Sequence, residues 1–123
     1  ILILLITRKI ILNFIEGSPA MNAAEIASQL GIPVRLVRDV IYILLNARII
    51  TETVDPEVRE VAYQPAIDPS RITVSFVIDT LDKQGQQLTI DNESPDLEQI
   101  TSVVDSFYED IRNSPKNYLL KDL

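Results

Sequence analysis

The sequence contains no cysteine, no histidine and no tryptophan, and the first two gaps remove whole classes of function. Without cysteine or histidine there is no disulfide, no thiolate nucleophile and none of the usual ligands for zinc or an iron–sulfur cluster. A chain without disulfides suits a reducing compartment. Glycine is scarce too: Gly17, Gly31 and Gly85 stand singly, so no glycine-rich loop exists to cradle a phosphate. The catalytic material left is carboxylates and serines. Asp79 with Asp82, and Asp105 with Glu109 and Asp110, are helix-spaced acids that read as solvated faces. The groups Asp55-Pro56-Glu57 and Asp91-Asn92-Glu93 are too sparse for a calcium site, which needs roughly six or more oxygens. No catalytic residue, no metal ligand and no cofactor is expected, and the chain reads as non-enzymatic.

Long apolar runs are also missing. The longest opens the chain, Ile1 to Ile6, and falls far short of the roughly 18 to 20 residues that span a bilayer. No small-residue cleavage site follows it, so as it stands it is neither a transmembrane helix nor a signal peptide. The first residue is isoleucine rather than methionine, and the expectation is a piece cut from a longer protein. The run continues through Ile10, Ile11, Leu12, Phe14 and Ile15 as one helix ending at Glu16-Gly17, with Lys9, Asn13 and Glu16 as its polar stripe. Projected backwards, that stripe puts Leu2 and Leu5 on the wet side. They then pack on the C-terminal segment or a second copy, or the helix continues from a membrane-embedded part with Arg8-Lys9 as a cytoplasmic-side pair.

Cations are in short supply. The net charge is −7, and the first fifty residues hold five of the eleven Lys and Arg but only three of the eighteen acids, so the acidity is C-terminal. With 46% apolar residues in 123, one domain with an appendage can bury a core.

What is present is a helix-turn-helix over residues 22–48. Asn22 N-caps the first helix, Glu25 follows three residues on as in a capping box, and Ile26 and Leu30 face inward. Gly31 closes that helix where a positive φ is cheap only for glycine, and Pro33 opens the next. On this second helix Arg35, Arg38, Asp39, Tyr42 and Asn46 form one polar face, opposite Val34, Val37, Ile41, Leu44 and Leu45. Leu36, Val40 and Ile43 widen the apolar arc, which predicts a helix covered on several sides. Arg35, Arg38, Asp39, Tyr42, Asn46 and Arg48 are the candidate recognition surface; as a plain solvated face it would hold an Arg35–Asp39 pair at i, i+4.

Ile49 to Val54 is β-branched, Asp55-Pro56 breaks it, and Val61-Ala62-Tyr63 returns as a partner strand. Three helices followed by a hairpin make a winged helix, here with the wing at 49–65. Glu52, Asp55, Glu57 and Glu60 surround one cation, Arg59, in a hairpin that would lie against phosphates in a DNA-binding protein. A further helix over 73–82 follows, capped by Thr73 and packing through Phe76, Val77, Thr80 and Leu81. The winged-helix domain thus spans 1–82. Residues 83–95 read as a flexible connector, with Leu88-Thr89-Ile90 as a short pairing segment. Residues 96–123 form a C-terminal amphipathic helix and tail. Its stripe, Leu97, Ile100, Val104, Phe107 and Ile111, is widened by Val103 and Tyr108. With Leu2 and Leu5 it is the candidate interface, and the ordinary fate of such a stripe is intramolecular docking or a homodimer. Tyr118-Leu119-Leu120 anchors the tail or stays loose. The fold class is α+β, mostly helical.

From Ile26 to Asp82 the order of helix-turn-helix, acidic wing, Tyr63-Gln64-Pro65-Ala66, Asp68-Pro69 and Ile72-Thr73-Val74 with Val77-Ile78-Asp79-Thr80-Leu81 resembles the cytoplasmic C-terminal region of the YihY/BrkB membrane proteins, long labelled ribonuclease BN. The terminal Leu119-Leu120-Lys121-Asp122-Leu123 is similar to that region as well. The winged-helix module of the Rrf-type transcription regulators is similar through the same wing and following helix, but the cysteines with which some of them sense redox state have no counterpart here. The resemblance implies a non-catalytic, cytoplasmic interaction or regulatory module on a bacterial inner-membrane protein, meeting a protein partner or a second copy. The alternatives are a DNA-binding regulator, with Arg35, Arg38, Tyr42 and Asn46 in the major groove and Arg48 on a phosphate, and an accessory part of a tRNA-processing ribonuclease. The nuclease label finds no support in these residues, because the enzymes with that activity resemble zinc hydrolases rich in histidine.

Overall fold

The computed structural model describes residues 1–57, 59–86 and 95–123. The fold is α+β and mostly helical; among the described residues there are five α-helices, α1 (Leu2–Ile15), α2 (Ala23–Leu30), α3 (Val34–Asn46), α4 (Val74–Gln86) and α5 (Pro95–Arg112), with one antiparallel pair of strands, β1 (Ile50–Val54) and β2 (Val61–Pro65), between α3 and α4.

Helix α1 supplies one wall of the core. Ile6, Ile10 and Ile11 are buried at helical spacing, and the buried Thr7 satisfies its hydroxyl by donating to the Ile3 carbonyl at 2.7 Å. The helix stops as expected at Glu16-Gly17. Gly17 takes φ 73°, which lets the Ser18 N–H reach back to the Asn13 carbonyl. Leu2 packs partly on the core, whereas Leu5, in line with Lys9 on the wet stripe, stays 37% exposed.

Helices α2 and α3 meet across the glycine turn. The Asn22 side chain accepts from the Glu25 N–H at 2.8 Å, capping α2. Gly31, at φ 65°, lets its own N–H and that of Ile32 bond to the Ala27 carbonyl. Pro33 sits one position earlier than expected: it is the N-cap of α3, with ψ 134°, and its carbonyl accepts from Leu36 and Val37. Val37, Val40, Ile41 and Leu44 then point into the core against Ile26, Ala27 and α1. At the far end α3 closes through Arg48, which takes the left-handed φ of 59° so that the Ile49 N–H bonds to Leu44.

In the hairpin, Ile50 lies opposite Pro65, Glu52 opposite Tyr63 and Thr53 opposite Ala62, so the two buried residues, Ile50 and Ala62, lie on opposite faces of the pair. Met21 adds one rung to the other edge of β2, accepting the Tyr63 N–H at 3.0 Å. The hairpin is thereby fastened to the segment between α1 and α2.

Thr73 caps α4 as its spacing predicts, its hydroxyl accepting from the Phe76 N–H at 3.1 Å, and Val77 is fully buried. Of the expected connector, residues 87–94 with Leu88-Thr89-Ile90 lie outside the described residues. Its described start does not loosen, since Lys83–Gln86 complete α4. The amphipathic spacing extends past Leu81, and the Lys83–Asp79 ion pair at 3.1 Å supports the added turn.

The tail is anchored. Leu120 is 1% exposed inside the core, its N–H bonded to the Ile72 carbonyl, while the Val74 N–H bonds to Tyr118. Asn117 clasps the buried Ser75, accepting its N–H at 3.0 Å and donating to its hydroxyl at 2.8 Å. The last turn, Leu120–Asp122, packs on α1, where the Arg8 guanidinium donates to the Leu123 carbonyl oxygen.

Candidate interaction surfaces

Two surfaces stand out, one on α3 and its neighbouring hairpin, the other on α5. On α3, Arg35, Arg38, Asp39, Tyr42 and Asn46 share one exposed face, with Arg48 exposed just beyond its end. That face is less polar than its residue types suggested. Leu36 and Ile43, expected to widen a buried arc, are 44% and 37% exposed, and Tyr42 beside them is 68% exposed. The physical reason is angular. Positions 36 and 43, seven apart, share a line about 100° or more from the Val37, Ile41 and Leu44 ridge at 3.6 residues per turn. Only Val40 of the three widening residues falls within reach of the core. The helix is covered on one side, not several. Among the described residues Arg35 and Asp39 do not form the i, i+4 pair; the ion pair of that spacing is Lys83 with Asp79 in α4.

The hairpin beside α3 turns carboxylates outward. Glu52, Glu57 and Glu60 are exposed, and Asp55 is half-buried where it accepts the Glu57 N–H at 2.9 Å to set the turn. Glu60 accepts from the Asn22 side-chain amide at 2.6 Å, so the residue that caps α2 also ties down the hairpin. Arg59 holds φ 57° in the turn. Burial raises the Tyr63 phenol above its usual pKa, the Glu52 charge adds to the shift, and Arg38 opposes it. Glu52 and Arg38 thus act on Tyr63 with opposite sign. The cross-strand alignment of Glu52 with Tyr63 accounts for the first of these effects and is legible only once the register is known.

At the other end of α3 a shallow cleft of about 520 Å³ runs between Asn46, Arg48 and the α4 residues Phe76, Asp79 and Lys83. It holds mixed charge, and Asp79 already engages Lys83. Among the described residues no group of three or more acids is placed to hold a metal ion.

On α5 no residue is buried. Val104 and Tyr108 are half-buried and turn toward α4, the helix against which α5 packs. Burial raises the Tyr108 phenol, with the Asp82 charge and a hydrogen bond to that carboxylate adding to it, as does Asp79. Leu97 is 47% exposed, and the rest of the stripe is bare: Ile100 is 62%, Val103 49%, Phe107 62% and Ile111 45% exposed. Among the described residues, the intramolecular docking of this stripe is on its α4 edge. Leu2 and Leu5 lie on α1, which packs on β2, α3 and the tail.

No helix of the described residues is long and apolar enough to cross a membrane. No family model, no curated protein sequence and no solved structure matches the chain.

Proposed function

We propose that this chain is a winged-helix module that meets another protein surface and carries no catalysis of its own. In this reading α2 and α3 are the helix-turn-helix, β1 and β2 the wing, and α5 an appended amphipathic helix. The observation that carries it is the wing. A duplex-binding wing lies along phosphates and each phosphate neutralised takes a Lys or Arg, yet this hairpin exposes Glu52, Glu57 and Glu60 around Arg59. The exposed Leu36, Tyr42 and Ile43 on α3 and the bare α5 stripe supply what a protein-facing surface needs, apolar area with a polar rim. Placement at the cytoplasmic face of a bacterial inner membrane, on a parent protein of YihY/BrkB type, rests on the resemblance over Ile26 to Asp82.

One observation favours a second reading. Arg35, Arg38, Tyr42 and Asn46 are all exposed on one face of the helix that would enter a major groove. Reversing the wing decides how much the acids matter. A Glu52→Lys, Glu57→Lys, Glu60→Lys variant is expected to bind random duplex DNA at least about tenfold more tightly than the parent chain at low salt. Equal affinity of the two proteins would remove the observation on which the protein-facing reading stands.

A further inference from the structure

We infer that the occupant of the bare α5 stripe is a second copy of this chain, in a two-fold dimer where α5 of each copy lies on the exposed α3 face of the other. The inference rests on the protein-facing reading above and names its partner.

Area comes first. Ile100, Val103, Phe107 and Ile111 leave roughly 450 Å² uncovered at the exposures they show, and Leu36, Tyr42 and Ile43 roughly 350 Å². Neither patch alone approaches the roughly 800 Å² that each partner gives to a stable interface, and the two together reach it. A dimer in which both patches are used twice closes on itself, as an isologous contact must.

Charge then chooses the pairing. Five acids and one arginine decorate α5, with Asp96 and Asp110 on the free margin of the stripe. Two α5 helices laid face to face would align these like charges. The α3 face offers Arg35 and Arg38 on either side of Tyr42 against one acid, Asp39, so the acidic apolar helix meets an apolar face of net positive charge. The two surfaces also belong to one side chain neighbourhood: Asp79 of α4 lines the cleft beside Asn46 and Arg48 of α3, and α5 packs along that same α4. A partner's α5 seated on α3 therefore lies across α4 from the chain's own α5.

Sedimentation velocity of the full 123-residue chain at roughly 100 µM tests this, the concentration being high enough to populate even a weak dimer. The expected mass is twice the 13.9 kDa of the chain. Phe107→Asp should return it to monomer; Phe107 is 62% exposed, so the fold, checked by circular dichroism, is kept. Arg35→Glu with Arg38→Glu should weaken the dimer at least about tenfold, and adding Asp96→Lys with Asp110→Lys should restore most of that loss. A dimer abolished by Phe107→Asp but indifferent to the arginine changes would overturn the reciprocal pairing. A monomer throughout would overturn the inference, and the duplex titration then separates the cases: a monomer that ignores DNA leaves the protein-facing reading in place, and a monomer that binds DNA removes both.

Discussion

Leu120 is a surface-tail residue by sequence position and a core residue by packing, which makes Leu120→Ala a sharp perturbation. Its side chain is 1% exposed in one cluster with Ile72 and Val77, and its N–H closes a bridge to the Ile72 carbonyl. Truncating a fully buried leucine costs about 2 to 5 kcal/mol, the higher values arising where the cavity cannot collapse. Here the cavity walls are α1, the segment before α4 and the tail itself. The tail is held by the Asn117 clasp and by Val74 bonding to Tyr118, so little collapse is available and a loss of about 3 kcal/mol is expected. With a urea m-value of about 1.5 kcal/mol/M, the midpoint should fall by about 2 M, read by circular dichroism in the absence of tryptophan. Tyr118→Ala is the control: the ring is 53% exposed and its backbone carbonyl is untouched, so the change should stay within about 0.5 kcal/mol. A Leu120→Ala loss below about 1 kcal/mol, or one no larger than that of Tyr118→Ala, would refute the placement of the tail in the core.

Other outcomes follow from single contacts. Asn22→Ala removes both the α2 cap and the tie to Glu60, and should cost about 1 to 2 kcal/mol in thermal or urea unfolding. Arg48→Gly relieves a left-handed residue at the end of α3 and should stabilise by about 0.5 to 1 kcal/mol; a destabilised variant would mean the arginine side chain is worth more than the strain. Tyr63 and Tyr108 both have pKa values raised above the ordinary 10.0, so the folded state holds these protons more tightly. Their contribution is complete below that value and lost as pH rises through the folded values. Unfolding followed above pH 10.0 should therefore show a shallower decline in the Tyr63→Phe, Tyr108→Phe variant.

Local chemistry was the legible part of this fold. Asn22, Gly31 and Thr73 act at their termini as their residue types require, because caps and left-handed turns depend on a few consecutive residues. The hairpin was equally readable from β-branched residues on either side of Asp55-Pro56. What escaped the sequence was anything decided between distant segments. Leu36 and Ile43 are as apolar as Ile41 and Leu44, and only the position of the core says which pair is left in water. Ser75 and Asn117 look like ordinary surface polar residues until the tail brings them together across 42 positions. The α5 stripe is legible by periodicity, but which of its residues stay exposed depends on where α4 meets it. The same holds for the site: the exposed α3 residues are legible by periodicity, whereas the pairing of Glu52 with Tyr63 requires the strand register.

Titration of fluorescently labelled random duplex DNA with the chain, followed by anisotropy at about 50 and about 200 mM salt, tests the protein-facing reading most directly. The acidic wing predicts no binding at micromolar protein even at the lower salt. Binding at micromolar protein that falls at least about tenfold between the two salts, and that Arg35→Ala with Arg38→Ala abolishes, would contradict it and assign the α3 face to nucleic acid.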